Sequence, residues 1–142
     1  MKGRVVVTGI GIVSPVGLDA RTTWESLLAG KSGIDRISSF DAEGFETTIA
    51  AEVDGFEATD YVSRKDARRM DRFVQLAAAA TLQAVDHAAL SVNGANGERV
   101  SVMIASGIGG IKTLSEQYGV MSERGPSRVS PFLVPMMLPD MA

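Results

Sequence analysis

The chain has 142 residues, 45% of them apolar and 22% charged, with a net charge of -3. That is the size of one domain or a piece of one, with enough apolar content for a core and no overall pull toward nucleic acid or an anionic membrane. It has no cysteine and one histidine, His87, which excludes disulfides, a cysteine nucleophile within these residues and any metal site needing two imidazoles.

In chain order, the N-terminus MKGRVVVTGIGIVSPVG is an apolar run broken by Thr8, Gly9 and Gly11. It suits a strand better than a signal peptide. Arg4 to Thr8 is predicted as a strand buried on both faces. Asp19 to Ala29 is predicted as a helix, with Trp24, Leu27 and Leu28 on one face and Gly30 as its stop. Lys31 to Glu46 is punctuated by Gly, Ser and Asp and is predicted as loop, followed by an edge strand over Thr47 to Val53. Asp71 to Ala89 has Phe73, Leu76, Ala77, Ala80 and Ala84 at helical spacing. After a polar loop from Ser91 to Glu98, a second buried strand is predicted over Val100 to Ala105. It ends in Ser106-Gly107-Ile108-Gly109-Gly110, and a helix follows to about Glu123. The last stretch, Ser130 to Ala142, sets Pro131, Pro135 and Pro139 among Phe132, Leu133, Val134, Met136, Met137, Leu138 and Met141. A segment so apolar is costly to leave exposed. No run reaches membrane-spanning length, and the cysteine-free composition fits a cytoplasmic globular protein.

Four features invite a chemical reading. Gly9-Ile10-Gly11 and Gly107-Ile108-Gly109 each lack the third glycine of a dinucleotide fingerprint, and neither ends in the glycine-lysine-Ser/Thr of a phosphate loop. Tight turns after strands explain them better than a cofactor, and no cofactor is expected. The segment RKDARRMDR holds Arg64, Lys65, Arg68, Arg69 and Arg72, five of the fourteen basic residues. If it is helical, Arg64, Arg68 and Arg72 share a face. Charge alone leaves open a solvated face, a nucleic-acid patch and docking of an acidic protein. The acidic total and the shortage of aromatics weigh against nucleic acid. His87 follows Asp86 near a helix end, a favourable place for an imidazole without catalysis. Ser14, Ser106 and Ser130 lie in no G-x-S-x-G elbow.

Taken in order, VVVTGIGIVSPVG, TWESLLAGKSGI, FDAEGF, RKDARRMDRF, SGIGG and VSPFLVPMM resemble the N-terminal third of the β-ketoacyl-acyl carrier protein synthase II family, the type II condensing enzymes of the thiolase superfamily. The resemblance covers nearly the whole chain. It implies an α/β class with a thiolase-like αβαβα layered fold. Residues 1–142 form an incomplete N-terminal part, without a complete second domain. It also implies a homodimer. The reaction is a decarboxylative condensation of an acyl thioester with malonyl-acyl carrier protein in fatty-acid elongation. In that family a cysteine takes the acyl group and two histidines assist decarboxylation and stabilise the oxyanion, in keeping with an activated thiol among hydrogen-bond donors.

None of those three residues stands in this chain, so no catalytic residue is assigned within it. The cysteine is expected soon after Ala142 and the histidines much later. The 142 residues alone are expected to be inactive and poorly stable. A cysteine-less polyketide chain-length partner and a non-catalytic carrier-binding module are the alternatives. The resemblance carries over residue by residue. Lys65, Arg68 and Arg69 match positions that dock the acyl carrier protein, and Arg128 matches a second basic spot, beside Ser127 where relatives often have another basic residue. Ile108 resembles the gate at the inner end of the acyl pocket. Leu133 falls where relatives place an aromatic residue that reaches the partner's pocket, which bears on chain-length preference. No metal, nucleic-acid or membrane partner is implied.

Overall fold

A computed structural model describes residues 3–138. They divide into two compact units: residues up to Glu57 with Ala80–Leu90, and Ala58–Ala79 with residues from Ser91 on.

The first unit opens with a departure from expectation. Arg4 to Thr8 has no ladder partner among the described residues, and Val5, Val6 and Val7 are exposed, Val5 by 99%. An apolar, β-branched run becomes a strand only where a neighbour takes its N–H and C=O groups, and composition alone does not supply one. The glycines after it serve a close approach instead. A Cβ on Gly11 would lie 1.9 Å from the Ala80 carbonyl oxygen, and one on Gly9 would lie 2.3 Å from that of Ala84. Polar contacts follow the same line: the Ile12 N–H donates to Gln83 Oε1 at 3.1 Å, and Gln83 Nε2 donates to the Leu18 carbonyl at 2.8 Å.

Helix α1 (Ala20–Leu28) begins where Asp19 forms a capping box. The Asp19 carboxylate accepts the Thr22 N–H at 2.7 Å, while Thr22 Oγ1 accepts the Asp19 N–H at 3.3 Å. The helix stops at Gly30, whose φ of +65° suits glycine. Its apolar trio Trp24, Leu27 and Leu28 is exposed. The buried residue is Thr23, whose hydroxyl meets the Gly17 carbonyl and Ser14 Oγ, each at 3.1 Å.

Strands β1 (Ile34–Arg36) and β2 (Ile49–Ala51) form an antiparallel hairpin with Ile34 opposite Ala51 and Arg36 opposite Ile49. β2 lies in the predicted edge strand. β1 lies in a stretch predicted as loop, and is ordered by its pairing rather than by its own propensity.

In the second unit, α2 (Arg64–Ala67) is a single turn capped by Ser63. The chain then breaks before α3 (Arg72–His87), a helix shared between the two units. The basic segment is therefore not one continuous helix, and Arg64, Arg68 and Arg72 do not share a helical face. Two contacts account for the break. Gln75 Nε2 donates to the carbonyls of Ala67 and Met70, at 2.9 and 3.3 Å. Asp71 Oδ1 accepts the Phe73 N–H at 3.3 Å, starting a new helix. On α3 the buried side chains are Val74 and Ala79, while the predicted face is half-buried.

Val100 to Ala105 repeats the outcome at the N-terminus: no strand forms among the described residues, and Met103 is 94% exposed. Helix α4 (Ile111–Arg124) follows, as predicted, and closes at Gly125 (φ +84°). A 3-10 turn at Pro126–Arg128 leads to α5 (Leu133–Met137). Pro135 falls early in α5, where its missing N–H costs no helical bond. Pro139 and Met141, counted above in the apolar tail, lie outside the described residues. No helix among the described residues is long and apolar enough to cross a membrane.

Candidate functional site

Lys65, Arg68, Arg69 and Arg128 are all exposed and all belong to the second unit. Among the described residues the ion pairs are Arg21–Glu25 and Lys112–Glu116, so none of the four is neutralised by a pair. The acids within the basic segment are turned to other work. Asp66 Oδ2 accepts the Ser63 hydroxyl at 2.6 Å. Asp71 is only 5% exposed, and its Oδ2 accepts both the N–H of Thr113, at 2.9 Å, and its hydroxyl, at 2.5 Å.

Two features shape the surface. The Arg69 guanidinium lies 5.0 Å from the centroid of the Phe132 ring. This cation–π contact leaves the charge in place while holding the side chain. Arg69 also borders a hollow with Asp66, Met70, Val74 and Pro135. Arg128 shares a second hollow with Val120 and Arg124. Arg124 stands in no motif. Its only trace in the sequence is a spacing of four from Arg128, and the intervening Gly125-Pro126 hides that because the two are not on one helix.

Ile108 and Leu133, the positions expected at the pocket, lie on segments that meet at Gly110. The Gly110 N–H donates to the Met137 carbonyl at 2.9 Å, and a Cβ on Gly110 would fall 2.4 Å from the Met136 carbonyl oxygen. Leu133 is half-buried, whereas Ile108 is 71% exposed and does not line a closed pocket here. Its turn is shaped by Ser106, whose hydroxyl accepts the Gly109 N–H at 2.9 Å. Ser14 and Ser130 are likewise engaged in local turn bonds. His87 Nδ1 accepts the N–H of Ile10 at 3.0 Å at the end of α3. Among the described residues no cluster of His, Cys, Asp or Glu could hold a metal ion.

Residues 2–142 match the family model described as Beta-ketoacyl synthase, N-terminal domain. The chain belongs to the β-ketoacyl synthase family. It is 47% identical over 139 residues to the 3-oxoacyl-[acyl-carrier-protein] synthase 2 of Staphylococcus aureus (strain N315), a match covering 98% of this chain and 34% of that protein. Among solved structures it resembles the ishigamide ketosynthase/chain length factor, with a TM-score of 0.78 at 27% identity, over 94% of this chain and 33% of that one. It also resembles a beta-ketoacyl synthase from Burkholderia phymatum STM815, with a TM-score of 0.76 at 28% identity, over 97% of this chain and 34% of that one. The β-ketoacyl synthase chain thus spans about a third of the length of the relatives it matches. Its fold is the thiolase-like α/β fold of the ketosynthases, represented by its N-terminal part.

Proposed function

We propose that the protein carrying this chain is a 3-oxoacyl-[acyl-carrier-protein] synthase of fatty-acid elongation. Residues 1–142 are its N-terminal part and supply the landing surface for acyl carrier protein together with some of the acyl-pocket wall. In the reaction, malonyl-carrier protein loses carbon dioxide. The carbanion equivalent so formed attacks the acyl thioester carbonyl, making one carbon–carbon bond and expelling the thiolate that held the acyl group. No cysteine in these residues can hold that acyl group, so the nucleophile belongs to other polypeptide of the protein.

The observation that carries this reading is the unneutralised basic surface of Lys65, Arg68, Arg69 and Arg128 in a β-ketoacyl synthase chain. Such a surface suits an acidic carrier, whose approach it steers. Ile108 and Leu133 are assigned to the pocket, and a homodimer in the cytoplasm is the expected setting. Titration of the complete protein with acyl carrier protein tests the docking role. Replacing Lys65, Arg68 and Arg69 together by Gln is expected to weaken binding about a hundredfold at low salt. An unchanged dissociation constant would end the reading. The 142 residues assayed alone with acyl- and malonyl-carrier protein are expected to give no condensation product.

The similarity to a ketosynthase/chain length factor favours one second reading, a cysteine-less chain-length partner. A thiol-reactive acyl mimic that labels the complete protein at one cysteine supports the synthase; the absence of labelling supports the partner.

A further inference from the structure

Helix α4 ends in Arg124, and Gly125 then turns the chain with a φ of +84° into the short 3-10 helix that ends in Arg128. The reversal brings both arginines to one hollow, where Val120 is the third lining residue. Val120 lies one turn before Arg124 on α4, so the hollow has an apolar side and two cationic ones. Both arginines are exposed, and neither is in an ion pair among the described residues. Of the acids on α4, Glu116 pairs with Lys112 at 3.9 Å, and Glu123, next to Arg124 in the chain, forms no ion pair with it among the described residues. Ser127, between the two arginines, adds no charge. The negative end of the α4 dipole favours a cation at Arg124 without neutralising it. Two planar guanidinium groups beside one concavity suit a carboxylate, which each can grip through a fork of N–H donors.

We infer that Arg124 and Arg128 form a paired clamp for one acidic side chain on the docking face of acyl carrier protein, Arg124 being a docking residue in its own right. The inference rests on the carrier-docking reading above. The partner is a protein carboxylate rather than nucleic-acid phosphate: the hollow has no aromatic side chain to stack a base.

The test is a set of titrations of the complete protein with fluorescently labelled acyl carrier protein at low salt. Arg124→Gln and Arg128→Gln are each expected to weaken binding about threefold to tenfold. The double variant is expected to lose less than the product of the two, since both groups grip the same carboxylate. Arg124→Lys, which keeps the charge but loses the fork of donors, is expected to recover only part of the affinity. If Arg128→Gln weakens binding and Arg124→Gln does not, the clamp is wrong and the docking reading stands. If Arg124→Lys binds as tightly as the parent, the guanidinium fork is not the grip and the clamp is again wrong. If the Lys65, Arg68, Arg69 and Arg128 variants all bind like the parent, the docking reading fails and the clamp fails with it. Tighter binding of a random single-stranded oligonucleotide than of the carrier protein would also overturn it.

Discussion

Asp71 and Glu52 are both carboxylates that gather several hydrogen bonds, one in each unit, and they differ in their access to water. Asp71 is 5% exposed, serves the start of α3 through Phe73 and reaches into the first turn of α4 through Thr113. Glu52, at the surface of the hairpin, accepts the N–H of Ser38 at 2.7 Å, its hydroxyl at 2.8 Å, the N–H of Ser39 at 3.3 Å and, more closely still, the Ser39 hydroxyl. The number of bonds is similar, but water can replace those of Glu52 and cannot reach those of Asp71. A buried donor left without its acceptor costs the full desolvation of the group, while a surface donor loses only the difference between protein and water. Asp71 therefore governs stability in its unit. Glu52 governs mainly its own titration and the local shape of the loop that carries the edge-to-face pair Phe40 and Phe45.

The first unit draws its stability from elsewhere, and the largest effect tests this. Gly11→Ala would drive a Cβ to 1.9 Å from the Ala80 carbonyl oxygen. It is expected to cost about 3 kcal/mol, the upper end for overpacking, measured by denaturant unfolding. If Gly11→Ala proves milder than Glu52→Gln, the assignment of that unit's stability to backbone contact is wrong. Next, Asp71→Ala leaves the Thr113 N–H and hydroxyl without their buried acceptor and is expected to cost about 2 kcal/mol. Thr113→Val removes one of the two bonds and keeps the shape, for about 1 kcal/mol. Equal costs for these two would mean that the hydroxyl, not the carboxylate, is the essential partner.

The smallest effect on stability belongs to Glu52, and it is the one with a pH signature. The hydrogen bonds from Ser39 and Ser38 hold its carboxyl at about 2, well below the ordinary glutamate value of 4.5. A carboxyl depressed on folding stabilises the hairpin fully above its unfolded value, and that contribution is lost as the pH falls through the folded one. Carboxyl NMR is expected to show Glu52 titrating near 2, with loosening of the Ser38–Ser39 loop between about 4.5 and 2. Glu52→Gln is expected to abolish this pH dependence with little change at neutral pH. A midpoint at the ordinary glutamate value would show that the four bonds do not persist in solution.

Elements closed by local chemistry were legible in the sequence. Asp19 and Gly30 bound α1, and Gly125 closes α4, because a cap or a positive φ acts within a few residues of itself. Elements that need a distant partner were not. β1 exists through β2, and the break between α2 and α3 depends on Asp71, whose partner Thr113 is 42 residues away. The runs at Arg4 and Val100 show the converse: sheet-like composition does not make a ladder. At the candidate site, Lys65, Arg68, Arg69 and Arg128 were legible as charge and by resemblance. Arg124 was not, because its neighbourhood with Arg128 is created by the turn at Gly125.

By itself the sequence determined the family, the helix ends, the concentration of positive charge and the lack of a thiol nucleophile within these residues, since identity, capping and charge are properties of the residues themselves. Only the tertiary structure decided that Asp71 is buried against Thr113 and that Arg124 stands beside Arg128. A side chain's field depends on where it points and on how much water surrounds it, and both are set by contacts across the fold.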